Sequence, residues 1–139
     1  MKNREENIQK AIARLCRLQY PAALFNSDLS GVRLSISQAR KAKEIRSGRG
    51  FPDFVLYARR GEFGALFLEL KAEGKNPYKK NGELKAGQHL KEQQEKIQQL
   101  RAAGYFAAFV TGFDNAAEAV RAYMDGDFNK LREVTAPGW

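Results

Sequence analysis

One cysteine, one histidine and one tryptophan are present among 139 residues. A lone Cys16 excludes a disulfide framework within the chain and a thiolate metal site. A lone His89 excludes the His-rich ligand sets of zinc. Nothing in the sequence places His89 beside Cys16 or a serine, so a nucleophile activated by histidine is disfavoured. Long apolar runs are missing too: none approaches the roughly 18 residues needed to span a bilayer. The opening Met1-Lys2-Asn3-Arg4-Glu5-Glu6 has no signal-peptide core. These absences predict a cytoplasmic protein in a reducing compartment, with no membrane partner. Acidic residues are in short supply, 16 against 24 basic ones, for a net charge of +8. A small domain with that balance usually meets a polyanion, and nucleic acid is the commonest.

What is present centres on residues 49 to 71. Two short apolar runs, Phe54 to Ala58 and Ala65 to Leu68, flank Arg59-Arg60-Gly61-Glu62-Phe63-Gly64. Apolar runs bounded by glycine and charge predict strands buried on both faces, joined here as an antiparallel hairpin. Asp53 stands at the mouth of the first strand, and Glu69 and Lys71 at the end of the second. Side chains alternate along a strand, so Glu69 and Lys71 share a face and Leu70 takes the other. The hairpin brings Asp53 beside that pair. Singly, Pro52-Asp53 reads as a turn and Glu69 with Lys71 as an exposed edge pair. Jointly, two carboxylates and an ammonium at one end of an oily hairpin cost free energy unless something uses them.

The rest of the chain predicts an α/β domain with a central mixed sheet flanked by helices, spanning 1–125, and a polar C-terminal tail over 126–139. Ile8, Ile12, Leu15 and Leu18 predict a helix over 5–18, and Ala22 to Phe25 a short strand before the turn Asn26 to Gly31. A basic helix follows, capped by Ser37 and ended by Gly48, with Arg40, Lys41, Lys43 and Arg46 crowding its surface. Ala72 to Gly87 is expected to be a mobile basic loop. His89 to Ala103 carries Leu90, Gln93, Ile97 and Leu100 on one face, with Gly104 as its stop. Tyr105 to Thr111 reads as a buried strand, parallel to the Glu69 strand because a helix connects the two. Asp114 is expected to cap a last helix through Met124. Tyr78 reads as a surface aromatic, or as a ring that stacks on a base.

Asp53, Glu69 and the backbone carbonyl of Leu70 are hard oxygen donors suited to Mg²⁺ or Mn²⁺. An ion held there keeps waters, one of which can serve as nucleophile toward a phosphate. Lys71 stands beside that water.

Pro52-Asp53 followed by Glu69-Leu70-Lys71 across a hairpin resembles the Pro-Asp…(Asp/Glu)-x-Lys nuclease superfamily, with its restriction-endonuclease-like core. Within it the chain resembles the VRR-NUC family, in the small stand-alone form common in phages and bacteria. Glu5 or Glu6 with Ile8-Gln9 is similar to that family's N-terminal acid-and-Gln segment. Phe25-Asn26 to Gly31 with Arg33 is similar to its Asn-Gly-x-Arg turn, although longer and without Asn-Gly. Ala39 to Lys43 and then Gly48 to Asp53 resemble its basic helix leading into Gly-x-Pro-Asp. Leu90-Lys91-Glu92-Gln93 resembles its Leu-x-x-Gln helix. The resemblance covers residues 5 to 124, and the segment from Lys75 to Gly87 is longer than a minimal member needs. It implies a Mg²⁺- or Mn²⁺-dependent DNA endonuclease with Asp53 and Glu69 on the metal, Lys71 assisting the water and Gln93 supporting Lys71. Glu5 completes the site; it shares the Ile8/Ile12 face, whereas Glu6 does not. Phosphate contacts are expected from Arg33, Arg40, Lys41, Lys43, Arg49 and Lys75. Family members of this size resemble junction resolvases, which implies a homodimer, branched DNA as substrate and no organic cofactor. A phage-encoded protein of this kind acts in the host cytoplasm. The rivals are a non-catalytic nucleic-acid-binding protein and a sequence-specific restriction-type enzyme.

Overall fold

Alternation along the central strands sorts the residues into two layers. The computed structural model describes residues 4–27 and 34–137. Helix α1 (Arg4–Gln19) leads to strand β1 (Leu24–Ser27), and helix α2 (Ile36–Ile45) to the hairpin β2 (Phe54–Tyr57) and β3 (Leu66–Lys71). Helix α3 (Gln88–Ala102), strand β4 (Phe106–Thr111), helix α4 (Phe113–Asp125) and helix α5 (Phe128–Val134) complete the order. The sheet order is β1-β2-β3-β4. β1, β2 and β3 pair antiparallel, and β3 pairs parallel with β4. This is the mixed sheet the sequence predicts, with the hairpin and the parallel crossover in place.

On one face Phe54, Leu56, Leu66, Leu68, Leu70, Phe106, Ala108 and Val110 pack against α1, α4 and α5. The opposite face carries Phe67, Ala107 and Phe109 against Ile97 and Leu100 of α3. Glu69 and Lys71 follow Phe67 on that second face by the two-residue period of a strand. Charge therefore enters the layer beneath α3, not the larger core.

Local differences from the sequence reading have local causes. β1 starts two residues later than Ala22, because Tyr20 N–H donates to the Cys16 carbonyl and Ala23 N–H to the Tyr20 carbonyl, closing a turn through Pro21. Ser35, not Ser37, caps α2: its Oγ accepts from Gln38 N at 3.2 Å while Gln38 Oε1 accepts from Ser35 N at 2.9 Å. That reciprocal box needs a Gln or Glu three residues on, which Ser37 lacks. α2 ends at Ile45, short of Gly48. Gly112 occupies the N-cap of α4, and Asp114 sits in the first turn, where its charge still favours the helix dipole.

The stretch from Ala72 to Gly87 is folded back on itself. Lys79 N donates to Glu83 O at 2.7 Å and Lys85 N to Pro77 O at 2.9 Å, around a bridge between Tyr78 and Leu84. Tyr78 is neither a surface ring nor poised for a base: it meets Phe109 edge-on at 5.9 Å and accepts from Gln94 Nε2 at 3.1 Å. The segment beyond residue 125, read as a tail, continues the domain. Leu131 is fully buried, Phe128 packs on Phe63, and Ala136 exchanges backbone hydrogen bonds with Phe109. Its polar residues obscure this because one turn of α5 supplies most of the burial. Leu131→Ala is accordingly expected to destabilise the protein by about 2–5 kcal/mol, the cost of a large-to-small change in a core. Urea unfolding measures this; a loosely trailing tail would leave the midpoint unchanged.

Candidate active site

Pro52 is buried and has no N–H to satisfy, so it can close the approach to β2 without a hydrogen-bond penalty. The register pairs Phe54 with Leu68, which sets Asp53 at the level of Glu69 just as the β2–β3 ladder ends. Leu70 N–H, pointing toward the β2 side, donates to Asp53 Oδ1 at 3.0 Å. A strand residue's N–H and C=O project to the same side. The Leu70 carbonyl therefore faces the edge where Asp53 lies, while the Lys71 carbonyl accepts from Gly112 N–H on the β4 side.

Beneath α3, Glu69, Lys71 and Gln93 are 5%, 8% and 4% exposed. Gln93 uses both ends of its amide: Oε1 accepts from Lys71 Nζ at 2.9 Å, and Nε2 donates to Glu69 Oε2 at 3.0 Å. Lys71 Nζ lies 3.7 Å from the same Glu69 oxygen. The amide thus fixes the separation of acid and ammonium. An apolar residue at position 93 would leave both charges short of partners in a site shielded from water.

Glu5 and Asp53 line one recess with Glu69, Lys71 and Gln93, a cavity of about 270 Å³. Glu6 instead pairs with Lys10 at 2.9 Å, which favours Glu5 as the helix-one acid. Gln9, on the same helix, donates from Nε2 to the Asp53 carbonyl at 3.4 Å. The two central carboxyls are held protonated more readily than usual. Burial pushes Asp53 up to about 7; the Glu5 charge adds to this, while the Leu70 N–H and Lys71 oppose it. Burial and the neighbouring Asp53 raise Glu69 well above the ordinary carboxylate range, against the pull of Lys71. A site that strains to lose two protons is one in which a cation would be welcome.

The donor set fits a hard divalent ion. No group of three Asp, Glu, His or Cys side chains converges among the described residues. Mg²⁺ nevertheless binds through one or two carboxylates and retains waters. Asp53, Glu69 and the Leu70 carbonyl provide two carboxylates and a carbonyl on one edge. Cys16 takes no part; it is buried in the main core, with its thiol pushed up to about 11.

Two residues not assigned to this site from sequence line or border it. His89 lines the recess and places Nε2 3.0 Å from Gln93 Nε2. Its spacing of four residues from Gln93 on one helix was the available signal. Lys96, three residues beyond Gln93, is 7% exposed and puts Nζ 4.5 Å from the centre of the Phe51 ring. It also donates to Gln99 Oε1 at 2.9 Å. That amine and the α3 backbone hold the loop before Asp53. A Cβ on Gly50, at φ +82°, would stand 2.5 Å from the Glu92 carbonyl oxygen, so glycine is required for this close approach.

The expected phosphate contacts divide. Arg40, Lys43 and Arg49 line a second recess beside the first. Lys41 is exposed on another side of α2, and Lys75 lines a groove beyond Lys71. Arg33 lies outside the described residues.

No protein-family profile and no curated protein matches this chain. Among solved structures it is similar to a VRR_NUC domain protein, at 21% sequence identity and a TM-score of 0.65, over 90% of this chain and 91% of the other. The likeness shows a shared fold along nearly the whole of both chains. It is the fold that the motif set from residues 5 to 124 implies.

A metal-free pH dependence follows from Asp53. Its folded-state value of about 7 lies above the ordinary 3.8, so the stabilisation from holding that proton is complete below about pH 4 and is lost as pH rises through about 7. Asp53→Asn, which imitates the protonated acid, should melt above the wild type at about pH 8 and converge with it only below about pH 4. Thermal melts in EDTA across that range measure the difference. Parallel curves at all pH values would remove this account of Asp53.

Proposed function

We propose that this protein is a Mg²⁺- or Mn²⁺-dependent endonuclease that hydrolyses phosphodiester bonds in DNA. The observation that carries the reading is the buried Glu69 carboxyl and the half-buried Asp53 carboxyl in one recess, beside a Lys71 amine that Gln93 holds at 2.9 Å. The shared fold with a VRR_NUC domain protein supports it. Asp53, Glu69 and the Leu70 carbonyl would hold the ion, which when bound supplies Lewis acidity toward a phosphate oxygen and a water of lowered pKa.

The chain's own residues do the remaining work. Lys71 orients the attacking water and stabilises negative charge that builds on the phosphate oxygens. Gln93 keeps Lys71 aimed, and it prevents a direct contact between Lys71 and Glu69 from consuming the acid. Glu5 approaches from α1 and completes the acidic face of the recess. The water oxygen bonds to phosphorus as the bond from phosphorus to the leaving sugar oxygen breaks, yielding a phosphomonoester and a hydroxyl. Lys43, Arg40 and Arg49 hold flanking phosphates by charge, without reading bases.

Within this reading the substrate is branched DNA such as a four-way junction, cut by a homodimer in the cytoplasm, because one subunit of this size covers little duplex. No helix among the described residues is long and apolar enough to cross a membrane. Asp53→Ala is expected to abolish cleavage while leaving DNA affinity nearly unchanged, since the acid serves chemistry and the cations serve binding. Lys71→Ala should lower the cleavage rate by about 10²-fold or more, the scale of losing one positioned charge-stabilising donor. Both are measured with a labelled four-way junction and a matched linear duplex, in Mg²⁺, in Mn²⁺ and in EDTA. Cleavage confined to the junction supports the full reading. Equal cutting of both removes the junction preference, cutting at one motif in the duplex favours a restriction-type enzyme, and tight binding without cutting leaves a non-catalytic binder.

A further inference from the structure

The recess that Asp53 and Glu69 line shares residues with a neighbouring space on each of two sides. On the α2 side it shares Arg46 and Gly48 with the recess lined by Arg40, Lys43 and Arg49. On the other side it shares Glu5 and Lys71 with a wide groove of about 900 Å³ lined by Arg4, Lys75 and Lys85. The three spaces thus adjoin through shared lining residues, and we treat them as one trough. The acids that line it, Glu5, Asp53 and Glu69, all border the middle; the cations extend to both ends.

The far wall of the wide groove is built by the folded stretch between β3 and α3. Lys75 N–H donates to the Ala72 carbonyl at 2.9 Å, making a tight turn directly after Lys71. Lys85 N–H donates to Pro77, and Tyr78 ties the base of that fold to Phe109 and Gln94. Arg4 Nη2 reaches across from α1 to the Glu73 carbonyl at 3.4 Å. Lys75 and Lys85 are exposed side chains on an anchored backbone. Positioned cations of one sign, continuous with an acidic recess, match a polyanion whose charges repeat along its length.

We propose that residues 72–87 form a second phosphate-binding wall, so that one nucleic-acid strand runs through the trough, held by Lys75, Lys85 and Arg4 on one side of the acids and by α2 on the other. This rests on the nuclease reading and extends it. The strand passes the acids and continues, so the cut falls inside a chain and not at its end.

The test uses the full chain in EDTA with a fluorescent 20-nucleotide single strand, and anisotropy measured from low to physiological salt. Each lost phosphate contact lowers the slope of log affinity against log salt by about 0.7 for a single strand. Lys75→Ala/Lys85→Ala should therefore reduce the slope by about 1.4, as should Arg40→Ala/Lys43→Ala on the other wall. The fourfold variant should lose the sum. An unchanged slope in Lys75→Ala/Lys85→Ala overturns the second wall. A fourfold variant no weaker in slope than either pair overturns the single crossing strand. Cleavage in Mn²⁺ by the unmodified chain is scored separately. A protein that cuts but ignores Lys75 and Lys85 loses this proposal alone, and one that shows the expected slopes but never cuts loses the nuclease reading.

Discussion

Taking Glu69 and Lys71 out of water together is the constraint that the surrounding architecture answers. Moving an acid and an ammonium into a protein interior costs several kcal/mol for each before any attraction is counted. Here the ion pair itself is loose, at 3.7 Å, and the shorter contacts run through the Gln93 amide at 2.9 and 3.0 Å. Two good hydrogen bonds to a neutral group satisfy both charges without letting them neutralise each other. That leaves an acid with coordination capacity and an ammonium with spare donors, which a direct bidentate contact would use up. The raised affinity of both carboxyls for protons records the remaining cost.

The sheet topology makes this placement possible. β3 has an antiparallel neighbour on one side and a parallel neighbour on the other, and the two ladders do not end together. Pairing with β2 stops at Leu68, whereas pairing with β4 continues through Lys71. The last three residues of β3 are thus fixed in register by β4 while their other edge stays open to Asp53 and a ligand. A parallel partner requires a crossover, and the crossover helix is α3, which lays Gln93 over the same three residues. One topological feature therefore supplies the rigid strand, the open edge and the amide clamp.

The centre of this arrangement was legible because it is written in short-range patterns. Alternation over Glu69-Leu70-Lys71, the hairpin and the helical spacing of Gln93 with Ile97 and Leu100 each depend on a few neighbouring residues. Cap positions and helix limits were less legible. Ser35 and Ser37 both qualify as caps by residue type, and the Gln three residues after Ser35 decides between them, a spacing that Ser37 lacks. Tyr78 was misjudged because its partner Phe109 lies far along the chain, whereas His89 meets Gln93 one helical turn on, a spacing the sequence did contain. α5 was hidden by composition, since a seven-residue helix needs only Leu131 and Phe128 to dock. Glu5 was favoured over Glu6 by the face it shares with Ile8 and Ile12, and its place in the recess, with Glu6 beside Lys10, gives that choice a geometric basis.

α2 stands apart energetically from the rest of the domain. It has ten residues and none is buried, and Ile36 and Ile45 are 82% and 72% exposed. A helix this short is marginal in water without packing, so the Ser35–Gln38 capping box supplies a large share of its order. Arg40, Lys43 and Arg46, spaced three residues apart, further oppose it because like charges at that spacing repel on a helix surface, while Glu44 offsets part of this toward Arg40 and Lys41. A phosphate backbone lying beside those side chains would remove the repulsion and add attraction in the same step. On the nuclease reading, helix order and nucleic-acid binding at α2 are therefore linked: whatever binds the ordered helix stabilises it. The opposite wall carries no such penalty, since its lysines sit on backbone already tied to Phe109 and Gln94. On that reading the trough joins an anchored side to a side whose order is strengthened by what it binds, with the Gln93 clamp between them.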